Sequence, residues 1–238
     1  MTVSEFSRTS DFAALESELV VLTDWLRSYA LPLWSERGVD HISGGFYEKL
    51  TQEGAPVEEP RRTRLVARQI HVFAVAGEMG WVDAASSRDL VSGGLDFLLE
   101  KSFEGSGLLR SSVGPRGEPL RPAFDLYDHA FAFFALGTAA RLGHRHEIVA
   151  RQAQHVLTTM VEQWKHPVAG FEEAKPPHEP LNSSPHMHLL EAFLEWEAVG
   201  IALSWREFSD EIVRLALTMF IDPRTGAVGE HFDHNWSR

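Results

Sequence analysis

The 238-residue sequence predicts an all-α fold, an α/α toroid of helical hairpins spanning residues 1–238 as one domain. Three observations point there. Apolar residues recur at helical spacing through nearly the whole chain. The helical stretches begin about sixty residues apart in two interleaved series. A glycine-marked, strand-like connection follows each odd-numbered helix. Hairpins that bury apolar faces only against neighbours build either a solenoid or a closed ring. Long glycine-rich connections favour the ring, where loops at one end form a pocket.

The first helix is expected from about Asp11, its N-cap, to about Ala30, with Leu15, Leu19, Leu22 and Leu26 as one buried stripe. Pro32 should end it. A second covers roughly Arg64 to Met79, with Val66, Ile70 and Phe73 on one face and Gly80 just beyond. The third runs from about Asp83 to Lys101 despite Gly93-Gly94, which costs about 1 kcal/mol per glycine against alanine. The fourth, about Asp125 to Leu142, is so rich in Phe and Ala that most of its circumference must be buried. The fifth runs from about His146 to Trp164, with Val149, Ala153, Val156 and Met160 aligned. The sixth begins at Ser184-Pro185, a cap followed by proline at the first helical position. The seventh holds Phe208, Ile212, Leu215 and Met219.

The connections repeat as well. They are Gly44-Gly45-Phe46-Tyr47-Glu48, Gly107-Leu108-Leu109, Gly170-Phe171-Glu172 and Gly226-Ala227-Val228. Gly-Phe-x-Glu thus occurs at Gly45 to Glu48 and again at Gly170 to Glu173. Glu53-Gly54 and Gly114-Pro115-Arg116-Gly117 signal small hairpins.

Composition excludes several classes. A net charge of -12 argues against nucleic acid and anionic membrane as partners. No apolar run approaches bilayer-spanning length, and the N-terminus lacks an export signal, so the simple reading is cytoplasmic. Zero cysteines removes disulfides, thiolate metal sites and cysteine nucleophiles together.

In a ring of this kind the even helices form the inner row, and their N-terminal ends converge on one mouth. Reactive side chains should then sit in their first turns, and they do. Arg68 and Gln69 lie in helix two; Tyr127, Asp128 and His129 open helix four; His186 and His188 open helix six, with Glu191 one turn on. A buried guanidinium needs a partner or a polar ligand, so Arg68 either binds a ligand or pairs with Glu48 or Asp128. Tyr127 is a site residue or a packing aromatic, and His129 reads as a helix-surface or loop-contacting residue. His186 and His188 diverge by about 200° on a helix, so they make no metal pair. With no cysteine, no HExxH and no carboxylate cluster, neither a metal nor another cofactor is expected. His188 has Glu191 on its own face at i+3, which can hold its tautomer, and a neutral imidazole can relay a proton near pH 7. A merely satisfied inner-helix histidine is the competing reading.

Five segments, in order, resemble the N-acylglucosamine 2-epimerase superfamily of sugar isomerases and 2-epimerases, in particular its mannose isomerase-like members. They are LPLWSERGVDHISGGFYEKL, VARQIHVF, DLYDHAFAFFAL, PHMHLLEAF and GEHFDHNW. The resemblance implies a barrel of six α/α hairpins and cofactor-free acid/base chemistry at C1 and C2 of a mannose-like sugar through an enediol. Aldose–ketose isomerisation is favoured over 2-epimerisation. It implies that Arg68 binds sugar oxygens and stabilises the enediolate, that Tyr127 lines the pocket, and that His188 contacts the ring oxygen or O1 and assists ring opening. Glu191 is expected beside them in the substrate pocket. Ser184 departs from the pattern, since many relatives carry Asn there. A larger departure is that the chain stops at Arg238, before the helix that bears one catalytic histidine of the family and before a second one downstream. The chain is therefore expected to be the N-terminal part of the barrel, lacking the last helices, or to need a second chain to complete it. By itself it should give no turnover. Two other classes compete: a non-catalytic sugar-binding or regulatory homologue, and a glycoside hydrolase, for which Asp128 and Glu191 are the candidate carboxylates.

Overall fold

A computed structural model describes residues 3–120, 124–200 and 204–238. Seven helical rods alternate between an inner and an outer row. Helix α1 (Val3–Trp25) passes through a π-helical turn, Leu26–Ala30, into α2 (Leu31–Arg37). Then follow α3 (Thr63–Glu78), α4 (Ala84–Phe97) with a π-helical end to Ser102, α5 (Leu126–Arg141) and α6 (His146–Trp164). The last two are α7 (Ser183–Val199) and α8 (Ser204–Leu215), the latter extended by a π-helical turn to Phe220. Helices α3, α5 and α7 pack side by side as the inner row, while α4, α6 and α8 cover them from outside. Among the described residues these helices form an open arc.

The sequence reasons for this packing are local. Asp83 caps α4 by accepting from Ala85 N and Ser86 N at 3.1 and 3.0 Å. Gly93-Gly94 survives inside α4 because a Cβ on Gly94 would stand 2.7 Å from Ile70 Cγ1. Helix α5, between two inner neighbours and the outer α6, is buried on most of its surface. Its Phe133 meets Phe193 and Trp205 edge-on, and Trp196 Nε1 donates to Phe133 O at 2.9 Å. On the final rod Ile212 and Leu215 are buried, as their spacing implied.

Four expectations need correction. The helix continues through Pro32 to Arg37, because the π-helical turn restarts the α-helix at Leu31 and leaves Pro32 in a first turn, where its missing N–H is not needed. Asp11 accordingly lies inside α1 rather than capping it. The stripe on α1 is open: Leu15, Leu19 and Leu22 are 55%, 53% and 56% exposed. Period shows which face is apolar, not whether a neighbour covers it. Asn182, not Ser184, precedes α7, which puts Pro185 third in the helix, still among the N–H groups without an intrahelical acceptor.

The connections are clasped at one end of the arc. Strand β1 (Arg61–Arg62), just before α3, pairs antiparallel with β2 (Ser112–Val113), after α4. Strand β3 (Leu181–Asn182), just before α7, pairs with β4 (His231–Phe232), after α8. Single bridges Leu50↔Pro56 and Val113↔Pro119 form the two small hairpins expected from their turns. Gly170 turns its connection with φ +73°, and a Cβ there would stand 2.5 Å from His186 Nε2. Gly170→Ala is expected to cost about 2 kcal/mol, from left-handed strain plus overpacking, seen as a lower midpoint in urea unfolding.

Candidate functional site

The inner helices begin at residues 63, 126 and 183, and equal steps from those starts give equivalent positions. One residue on stand Arg64, Tyr127 and Ser184. Five on stand Arg68, Phe131 and His188; eight on stand His71, Phe134 and Glu191. Each set is a layer of the inner face, and the layers descend from the clasped mouth.

The structure brings all four predicted site residues together across the first three layers. Arg68 Nη2 donates to Tyr127 Oη at 2.9 Å, and the guanidinium carbon lies 4.0 Å from the Phe131 ring centroid. The Tyr127 ring meets the His188 ring nearly edge-on, with centroids 4.8 Å apart, and Phe131 lies 4.6 Å from His188. His188 Nδ1 is 2.8 Å from Glu191 Oε2. The carboxylate can only accept, so Nδ1 carries a proton, and in the neutral tautomer this leaves the lone pair on Nε2. His186 points away and is fully buried, as the helical angle required.

The carboxylates offered to Arg68 as structural partners hold other arginines. Glu48 binds Arg62, accepting from its backbone N at 2.8 Å and from Nε. Asp128 accepts from Arg64 Nε at 2.7 Å and from Arg64 N at 3.2 Å, while Asp125 takes Arg64 Nη2 at 2.9 Å. Burial, aided by Asp125, pushes the Asp128 carboxyl up to about 6 although Arg64 opposes this. Fully buried and held by Arg64, Asp128 is unavailable as one of two hydrolytic carboxylates facing a cleft with Glu191.

His129 is no surface residue: it is fully buried. Its Nδ1 lies 2.7 Å from Asp125 O and its Nε2 accepts from Leu109 N at 3.1 Å. His186 repeats the arrangement with Asn182 O and Phe171 N, both at 3.1 Å. Each histidine ties an inner helix to the glycine-marked connection of the preceding rod. Desolvation lowers both rings to about 4. The repeated Gly-Phe-x-Glu has a similar structural task. Glu48 holds Arg62, and Glu173 accepts from Asn182 N and, at 2.7 Å, from Asn182 Nδ2, each just before an inner helix.

A cleft of about 320 Å³ opens above Tyr127, lined in part by Arg64, Asp125, Glu173, Ser184 and Glu230. Behind it, His166, Glu172 and His234 place ligand-type atoms within 4.8 Å of one another. They do not fit a metal ion as arranged. His166 Nδ1 accepts from Val168 N at 3.2 Å, so the proton sits on Nε2, which faces His234 O at 3.1 Å. No free lone pair remains on that ring, since the one on Nδ1 is engaged by backbone N–H groups. Glu172 Oε2 is buried with no hydrogen-bond partner, and desolvation raises its carboxyl above the usual range. Glu172→Gln is therefore expected to stabilise the fold at pH 8 and to lose that advantage at pH 4, where the native carboxyl is neutral; thermal melts at the two pH values test this.

Sequence reasoning missed Arg64, Phe131, His71 and Thr138 as members of this face. Their signal was present in the common register of the inner helices, since each stands at a step that already held a named residue or lies one turn below it.

Comparison with known proteins agrees with this fold. The family model for N-acylglucosamine 2-epimerase (GlcNAc 2-epimerase) matches residues 45–238. A protein of Rhizobium meliloti (strain 1021) named mannose-6-phosphate isomerase is 38% identical over 219 residues, 91% of this chain and 56% of its own length. The cellobiose 2-epimerase of Spirochaeta thermophila DSM 6192 superposes with a TM-score of 0.83 at 22% identity, covering 94% of this chain and 59% of its own. A D-mannose isomerase gives 0.77 at 14% identity, covering 92% and 56%. The chain thus spans somewhat more than half the length of these relatives, and the two structures are like it in fold. No helix among the described residues is long and apolar enough to cross a membrane.

Proposed function

Because the chain belongs to the N-acylglucosamine 2-epimerase family, we propose that its site serves aldose–ketose isomerisation at C1–C2 of a mannose-like sugar. The observation that carries this is the junction of Arg68, Tyr127 and His188, in which the guanidinium donates to a phenol instead of a carboxylate. Exposed and without an acidic partner among the described residues, Arg68 has donors available to oxygen atoms that gain charge during reaction. His188, with Nδ1–H on Glu191, presents Nε2 to the sugar's anomeric side. It takes the O1 proton as the C1–O5 bond breaks and returns it to O5, which opens the ring. Arg68 then stabilises the enediolate, and Tyr127 and Phe131 form the apolar wall.

The relative in Rhizobium meliloti is named for a phosphorylated sugar; the mouth of this chain favours a neutral one. Asp125, Glu173 and Glu230 line the cleft, and its arginine, Arg64, is already neutralised by Asp125 and Asp128. A phosphate there meets repulsion. With His188 engaged at O1, removal of the C2 proton needs a further base. The chain alone is therefore expected to bind D-mannose and D-fructose without exchanging the C2 proton.

Calorimetry with D-mannose, D-fructose and mannose 6-phosphate, beside proton NMR in D2O, tests these statements. Saturable binding of the free sugars is expected, tighter than that of the phosphate ester. Absence of binding by either free sugar overturns the site. Tighter binding of the ester overturns the neutral-substrate reading, and deuterium at C2 of mannose overturns the requirement for a further base.

A further inference from the structure

One turn below the Arg68–Tyr127–His188 junction, the inner face carries an imidazole that the chemistry above does not use. His71 follows Arg68 by three residues on α3, a rise of about 4.5 Å, and shares its layer with Phe134 and Glu191. Its ring packs on Phe134 with centroids 4.4 Å apart. Nδ1 lies 2.9 Å from Thr138 Oγ1, and Thr138 donates its own hydroxyl proton to Phe134 O at 3.0 Å. The threonine oxygen must therefore accept from His71, which puts the proton on Nδ1 and the lone pair on Nε2. Nε2 has no hydrogen-bond partner among the described residues, and it is not one of the fully buried unpartnered polar atoms, so it is not sealed from solvent; the residue also borders an apolar groove beside Leu26 and Val75.

The charges around the ring come from two elements. Burial, aided by Arg141 on α5, outweighs Glu195 and Glu191 on α7, which favour a second proton, and lowers the ring below its ordinary value. His71 is thus a neutral acceptor in a fixed tautomer, with no protein donor before it, in a layer adjoining Arg68 and His188. Sugar hydroxyls are donors that need such acceptors, because sites of this kind fix orientation with a few placed polar groups. A purely structural histidine in this protein looks different: His129 and His186 have both ring nitrogens occupied.

We propose that His71 is a further substrate-binding residue, whose Nε2 accepts a hydrogen bond from a hydroxyl of the sugar held at Arg68 and His188. Thr138 is its positioning residue. The proposal rests on the sugar-binding reading above and adds a specificity contact on the deep side of the pocket.

The test is calorimetry of the full chain with D-mannose and its 3-, 4- and 6-deoxy analogues, for the native protein, His71→Phe and Thr138→Val. In the native protein one analogue is expected to bind about tenfold more weakly than D-mannose, the loss of one net hydrogen bond of about 1.4 kcal/mol. His71→Phe should abolish that difference while leaving the ratios for the other analogues unchanged, and Thr138→Val should reduce it. In long-range nitrogen–proton NMR spectra of the native chain, the His71 Nε2 signal should shift on saturation with D-mannose and not with the discriminated analogue. Equal weakening of all sugars in His71→Phe, or an Nε2 signal that does not move, overturns the assignment while the sugar-binding reading stands. Failure of the native chain to bind any of the sugars overturns both.

Discussion

Acidification from pH 7 to pH 4 is expected to remove on the order of 3 kcal/mol of folding stability, with two buried histidines as the cause. His129 and His186 have rings lowered to about 4 in the folded protein, against an ordinary value of 6.5. The unfolded chain therefore binds more protons between these values, and stability falls as pH drops through that window. At about 1.4 kcal/mol per unit, each histidine accounts for roughly 3 kcal/mol. Asp128 acts in the opposite sense. Its folded value of about 6 lies above 3.8, so its contribution is present at low pH and lost as pH rises, which returns roughly 3 kcal/mol on acidification. Urea unfolding at half-unit intervals measures the balance. In His186→Phe the slope should fall by about one proton, while Phe171 N–H, left without its acceptor, lowers stability at every pH. A flat profile from pH 7 to pH 4 would show that the rings gain protons without unfolding.

Arg68→Ala is expected to weaken D-mannose binding by roughly 10- to 100-fold, the 1.5–3 kcal/mol of a hydrogen bond to a charged group. The fold should be unaffected. Arg68 is exposed, not buried as its apolar neighbours in sequence suggested, and among the described residues it donates only to Tyr127, while the adjoining Arg64 holds the carboxylates that lock α3 to α5. Arg64→Ala provides the contrast. It strips Asp128 of its ion-pair partner inside the protein, so the loss should appear first in thermal stability. Lysine at position 68 should rescue Arg68→Ala only in part, because an ammonium lacks the planar fork that can stack on Phe131 and donate to two oxygens. Native affinity in Arg68→Ala would remove the guanidinium from the sugar site.

Much of this architecture was legible from periodicity. The rods and their inner and outer rows follow from apolar spacing; equal steps along helices with equivalent starts put Arg68 and His188 in one layer, and Tyr127 stands in the layer just above them. The unread parts depend on contacts distant in sequence. Nothing local to His129 says that Leu109 N, 20 residues earlier, needs an acceptor. Nothing local to Arg64 says that Asp125 and Asp128 lie 61 and 64 residues ahead. The open stripe of α1 fails for the complementary reason, since no neighbour among the described residues covers it. Pro32 and Pro185 are breakers by type, yet each falls where a helix has no use for another donor.

The clasps at the mouth also bear on how disorder can spread. β1 pairs with β2, and β3 with β4, across roughly fifty residues each, so the short strand leading into an inner helix is completed only by the turn beyond the next outer rod. Neighbouring units overlap like roof tiles. Lifting one edge lets go of the threshold of the preceding inner helix, where Arg64 and Ser184 stand, so fraying begun at a rim reaches the sugar's entrance before it reaches the aromatic centre.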